Sequence, residues 1–272
     1  MILYKPKGWC AMELTLSMFL IVCPFAFLAG FVDSIGGGGG LISIPAYLLA
    51  GLPAHETIYT NRLSACLGTI TATIRYCKNH YIDYGLAVVG IATAALGGLS
   101  GANLALWVNE TIFKILLIIL LPLVAMYVLL KKDLEPKKDT PAISKRKQYF
   151  IVSTASFFIA MYAGFYGPCS GTFLILVYSA CAKMDILKAE GNAKLINMVA
   201  DICSLSVFLW HGVVLIPLGL TAALFSIAGN YIGAGVVMKN GYKVIRVVIF
   251  SVLLLLFLKI AVEGAIYLFR MF

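Results

Sequence analysis

Charge is scarce in this sequence. Asp, Glu, Lys and Arg make up 12% of its 272 residues, about half of the roughly 25% usual in soluble domains. So few charges cannot cover a water-facing surface, and hydrophobic residues reach 61%. Histidine is rarer still. The three, His55, His80 and His211, keep no ligand spacing, so no metal is expected. The seven cysteines (Cys10, Cys23, Cys66, Cys77, Cys169, Cys181 and Cys203) contain no Cys-x-x-Cys pair and fall mostly in apolar runs. They read as free, core-type thiols. No Gly-Lys-Ser or Gly-Lys-Thr follows the glycines, which excludes a phosphate-binding P-loop. His-Glu-x-x-His and Gly-x-Ser-x-Gly are missing too, so the chain is not expected to be an enzyme and no cofactor is implied. The net charge of +9 comes from basic residues crowded into loops without a nucleic-acid-binding motif, so nucleic acid is not an expected partner.

Long apolar runs fill the rest: residues 14–35, 86–108, 112–130, 213–238 and 247–262. Each meets or approaches the roughly 20 residues needed to cross a bilayer. The expected class is an all-α integral membrane protein whose partner is the lipid bilayer. A cleavable signal peptide is not expected, because the first run leads straight into a glycine break with a counterpart later in the chain.

That break organises the sequence. Residues 29–45 read AGFVDSIGGGGGLISIP. Five consecutive glycines cannot sit inside an ordinary helix, since each costs roughly 1 kcal/mol against alanine. Non-helical backbone is tolerated at membrane depth only when buried in protein or lining a polar cavity. Residues 163–172, AGFYGPCSGT, open with the same Ala-Gly-Phe. Downstream, Asn61-Arg62-Leu63 aligns with Ala193-Lys194-Leu195, and Gly97-Gly98-Leu99-Ser100-Gly101-Ala102 aligns with Gly229-Asn230-Tyr231-Ile232-Gly233-Ala234, both at one spacing. The chain therefore reads as two homologous halves. Repeats with interrupted apolar segments at matching places are the best sequence pointer to a transporter site.

The expected organisation is a first membrane repeat over 1–130, with an amphipathic lead at 1–12, a broken or re-entrant hairpin at 13–51 and three transmembrane helices. A basic cytoplasmic linker follows at 131–147, then a second membrane repeat over 148–272. Seven basic residues sit in the linker: Lys131, Lys132, Lys137, Lys138, Lys145, Arg146 and Lys147. Three crossings per half force opposite orientations, hence inverted-topology repeats. With the linker inside, the loops at Arg75–Lys78, Lys183–Lys188 and Lys239–Arg246 also fall inside, as basic loops should. Lys5 and Lys7 run against this pattern.

Four groups of residues are candidates for the chemistry. Arg62 and Lys194 hold equivalent places in the halves. They read either as two cations flanking an anion, with Asn61, Asn192 and Asn197 adding donors, or as side chains snorkelling to the interface. The glycine tips, Gly37, Gly38, Gly39 and Gly40 in the first half and Gly167, Cys169, Ser170, Gly171 and Thr172 in the second, offer backbone N–H groups to an anion. Their other reading is close packing. Asp33 and Asp201 would repel a bound anion if bare. They read as proton-coupling groups or as charge pairs of Arg62 or Lys194. Gly97-x-x-x-Gly101 and Gly229-x-x-x-Gly233 read as helix-packing faces.

On these residues the sequence resembles the sulfite exporter TauE/SafE family. The resemblance rests on GFVDSIGGGGGLISIP, on Thr60-Asn61-Arg62-Leu63, and on GFYGPCSGTFL with its downstream Ala-Lys-Leu-Ile-Asn. It runs from about residue 16 to residue 259. It implies a secondary transporter in a plasma membrane that moves sulfite, an organosulfonate or a similar small anion. An anion-selective channel using the same pore residues is the alternative. Two departures bear on substrate: Cys169 stands where the family pattern has glycine, and Asp201 where it has an amide.

Overall fold

The computed structural model describes residues 2–4, 12–108, 143–241, 243–249 and 251–252. The expected span at 111–130, most of the linker and most of the last span lie outside the described residues.

The first half contributes α1 (Leu16–Gly36), α2 (Gly40–Leu49), α3 (Ala54–Lys78) and α4 (Tyr84–Trp107). The second contributes α5 (Lys145–Phe165), α6 (Ser170–Ala180), α7 (Ile186–Trp210) and α8 (Ile216–Asn240). Each half thus runs long helix, break, short helix, long helix, long helix. Among the described residues the only regular structure other than helix is a ribbon in the N-terminal lead, where β1 (Ile2–Tyr4) pairs antiparallel with β2 (Met12–Leu14). The expected linker ends earlier than its charge run, because Lys145, Arg146 and Lys147 already belong to α5, whose first turn is capped by Ser144.

Five helices, α1, α4, α5, α7 and α8, are long and apolar enough to cross a membrane. The 25-residue α3 matches them in length, but its charged and hydroxyl residues lower its hydropathy. It buries that polarity instead: Thr57, Thr60, Arg62, Ser64, Thr69 and Thr73 are all buried. Outward faces of the apolar helices carry exposed leucines such as Leu20, Leu96 and Leu224, as a lipid-facing surface would. Trp107 and Trp210 end α4 and α7 and are almost fully exposed, the usual place for an interfacial aromatic belt.

The breaks arise from local backbone chemistry. Gly37 closes α1 in the left-handed region (φ 78°), with its N–H on the Asp33 carbonyl at 2.8 Å. This is a C-cap that glycine adopts without a Cβ penalty. At the second break Cys169 takes the same kind of conformation (φ 63°) just before α6. A glycine there would avoid the strain, which is why a non-glycine residue at this place is notable. Pro45 falls in the body of α2 and removes one of its hydrogen-bond donors.

The halves interlock. α4 lies along α5, and α8 along α1. A Cβ at Gly97 or Gly101 would strike the α5 backbone at Phe157 and Met161; one at Gly229 or Gly233 would strike the α1 backbone at Phe27 and Phe31. The matching glycine motifs are therefore helix-packing faces, and each grips the broken arm of the other half.

Candidate functional site

The two breaks meet. A Cβ on Gly37 would come within 2.5 Å of the Gly171 backbone, and one on Gly40 within 3.0 Å of Pro168 Cα. The Thr172 hydroxyl donates to the Gly36 carbonyl at 2.5 Å. Beside this junction lies a cavity of about 50 Å³, against the roughly 10–15 Å³ that one water occupies on the same measure. Its wall includes Gly39, Gly40 and Gly167 together with Asp33, Asn61, Arg62, Ser170, Asn197 and Asp201. Those are nine of the residues singled out in the sequence.

Arg62 and Lys194 both reach across to the other half. Arg62 Nη1 donates to Asp201 Oδ1 at 2.6 Å, and Nη2 to the Ala163 carbonyl in the last turn of α5. Lys194 Nζ donates to the Asp33 carbonyl in the last turn of α1, and lies 3.2 Å from Asp33 Oδ2. Each cation therefore caps the C-terminal end of a broken helix that carries no basic residue in its own last turn. That end holds the negative pole of the helix dipole. Neither side chain snorkels, since both are buried by protein. The carboxylates Asp33 and Asp201 are both paired, each with the cation of the opposite half.

The two sites differ in what remains available. Arg62 lines the cavity, and its Nε is buried without an acceptor. Lys194 is fully enclosed, does not line the cavity, and has a second carboxylate 3.6 Å away, Glu190. Sequence reading passed over Glu190. The signal was there, because Glu190 and Lys194 are four residues apart and so share a helix face.

The other candidates divide between cavity and packing. Asn61 and Asn197 line the cavity; Asn192 instead donates to the Lys188 carbonyl of its own helix. At the first tip the Gly39 N–H donates to Asp33 Oδ1 at 3.2 Å. A carboxylate from the chain thus already takes one N–H expected to serve a ligand. Gly37 and Gly171 form the tip-to-tip contact and Gly38 packs on Val252. Cys169 and Thr172 are buried and stay off the cavity wall. Sequence reading also missed the wall's Ser43, Ser226 and Asn230, because small polar residues in apolar helices carry no motif.

The sequence that builds this site has relatives among known proteins. The profile of the family described as Sulfite exporter TauE/SafE matches residues 22–260. The chain belongs to this family. A protein from Sinorhizobium sp. named "Probable membrane transporter protein ORF9" is 34% identical over 84% of this chain and 85% of its own length. "Probable membrane transporter protein YfcA" of Escherichia coli (strain K12) is 33% identical over 81% of each chain. A "Probable membrane transporter protein" of Haemophilus influenzae is 30% identical over 86% of this chain and 91% of its own. No solved structure gives a significant match.

Proposed function

We propose that this member of the TauE/SafE family is a secondary transporter that carries a small sulfur-containing oxyanion, sulfite or an organosulfonate, through a cell membrane. The observation that carries this reading is Arg62. Arg62 is a wall residue of a polar cavity, its Nη1 and Nη2 are committed to Asp201 and Ala163, and its Nε, buried behind the wall, still lacks an acceptor. A buried donor left unmade costs about 1–3 kcal/mol. A turn of the Arg62 side chain toward an oxyanion in the cavity would give that donor an acceptor, while Asn61, Asn197 and Ser170 supply further donors.

The cavity's place supports transport. It sits where two interrupted helices meet at the interface of two homologous halves, the arrangement expected of alternating-access carriers. Inverted repeats, with the central linker cytoplasmic, fit the exposed Trp107 and Trp210, which end the two helices expected to finish on the outer side. In this cycle the halves rock about the Gly97–Gly101 and Gly229–Gly233 contacts, and the cavity opens to each side in turn. A monoanion that crosses without a proton is driven outward by an inside-negative potential with about 2.3 kcal/mol per 100 mV; one that crosses with a proton is not.

The test uses purified protein and a panel of small anions, by thermal shift and then by flux into proteoliposomes. Saturable uptake with counterflow of sulfite or a sulfonate is the expected result. Flux that does not saturate and shows no counterflow would assign a channel. An absence of binding by every oxyanion would overturn the reading.

A further inference from the structure

The charges buried at the centre do not balance. Arg62 and Lys194 face three carboxylates, Asp33, Asp201 and Glu190. With all five ionised the cluster is net negative, which opposes entry of an anion. One proton on a carboxylate would neutralise it.

Glu190 is the carboxylate placed to take that proton. Asp201 holds Arg62 at 2.6 Å, and Asp33 holds both Lys194 and the Gly39 N–H. Glu190 is fully buried, and neither of its oxygens accepts a hydrogen bond. Its one opposite charge, Lys194, stands at 3.6 Å, beyond hydrogen-bond length. A buried carboxylate with no donor is the group that gains most from protonation.

The surroundings leave few competitors. From α1, Asp33 faces Glu190; from α3, Tyr76 does, with its hydroxyl donating to the Ser34 carbonyl at 2.9 Å. Tyr81 lies against Gly191 through its backbone. The remaining neighbours of α7, α4 and α6, carry no charged side chain, and the three basic residues of α5 are exposed. Arg75 is engaged by the Tyr231 ring at 4.2 Å. Glu190 also lies little more than one turn inside the N-cap of α7, Asp185, a short path to the loop at residues 181–185.

We propose that Glu190 is the proton-binding residue of the transport cycle, taking up one proton from solution as the anion binds and returning it as the anion leaves, while Lys194 shifts its ion pair between Asp33 and Glu190. Protonated Glu190 leaves Lys194 to Asp33 and a neutral cluster beside the anion. Ionised Glu190 draws Lys194 toward itself, loosens Asp33 at the first tip and restores the negative charge that expels the anion. By linkage, anion and proton raise each other's affinity by the same factor. The inference rests on the anion reading of the cavity.

Calorimetric titration of the full-length protein decides it, in paired buffers of different ionisation heat. The probe is methanesulfonate, whose own charge stays fixed across the pH range. The wild type should take up about one proton per anion on the alkaline side, with affinity falling about tenfold per pH unit there. Glu190→Gln should still bind, take up none and lose the pH dependence. If Glu190→Gln does not fold, Glu190→Asp should move the pH at which uptake occurs. Methanesulfonate binding without proton uptake, or equal uptake by wild type and Glu190→Gln, overturns the proton role and leaves the anion site standing. If neither methanesulfonate nor any other anion of the panel binds, the cavity reading fails and this inference with it.

Discussion

Arg62 and Lys194 stand at equivalent positions of two homologous halves, yet the structure gives them different work. Both cross to the other half, both cap a broken helix, and both pair with an aspartate. Arg62 has one carboxylate and a guanidinium with a donor to spare beside the cavity. Lys194 has two carboxylates and no cavity surface. The difference follows from chemistry. A guanidinium can hold a carboxylate, a carbonyl and a ligand on separate N–H groups, whereas an ammonium is a compact point charge. At matching positions the halves therefore hold a cavity-lining cation and an enclosed charge clamp.

The largest expected effect is on the clamp. Lys194→Met strands the fully buried Glu190 beside the part-buried Asp33. Removing one partner of a buried pair typically costs about 3–5 kcal/mol, so thermal unfolding in detergent should drop steeply. Adding Glu190→Gln and Asp33→Asn should recover much of the loss. A Lys194→Met protein as stable as wild type would erase the distinction drawn between the cations.

Arg62 should answer differently. Arg62→Ala alone leaves Asp201 unpaired, so Arg62→Ala with Asp201→Asn is the informative variant. It should fold, but bind sulfite or a sulfonate about ten- to a hundredfold more weakly, the value of a charged hydrogen bond of roughly 1.5–3 kcal/mol. Affinity unchanged in a folded double variant would move the ligand away from Arg62.

The glycine tips sharpen the comparison next. Gly37→Ala places a Cβ against the Gly171 backbone at a residue with φ 78°. Strain and overpacking together should cost about 1–3 kcal/mol, read as a lower unfolding temperature. Gly51→Ala, also at positive φ (92°) but with open space around it, isolates the conformational part. Equal losses at both would show that tip-to-tip packing contributes nothing.

The smallest effect belongs to Cys169. Its left-handed backbone costs a non-glycine residue roughly 1–2 kcal/mol, and glycine's chain entropy takes back about 0.5–1. Cys169→Gly should change stability by about 1 kcal/mol or less and leave anion affinity unaltered, since the side chain does not line the cavity. A large affinity change would bring the Cys169 side chain into contact with the anion.

The sequence by itself determined the membrane class and the two interrupted helices, showed the self-similarity of its halves, and offered ion pairing with Arg62 or Lys194 as one of two readings for Asp33 and Asp201. All of these follow from local composition and from self-similarity along the chain. It also contained the Glu190–Lys194 spacing, a signal left unread because one four-residue pair in a helix carries little weight alone. Only the tertiary structure decided that Arg62 meets Asp201 while Lys194 meets Asp33. It decided that Gly39, Gly40 and Gly167 line the cavity while Gly37 and Gly171 hold the tips together, and that Glu190 is sealed from solvent. Glycine, asparagine and glutamate look the same in sequence whether they face a cavity or a neighbouring helix. That choice is made by packing between segments more than a hundred residues apart, where burial sets the cost of every unmatched charge and donor.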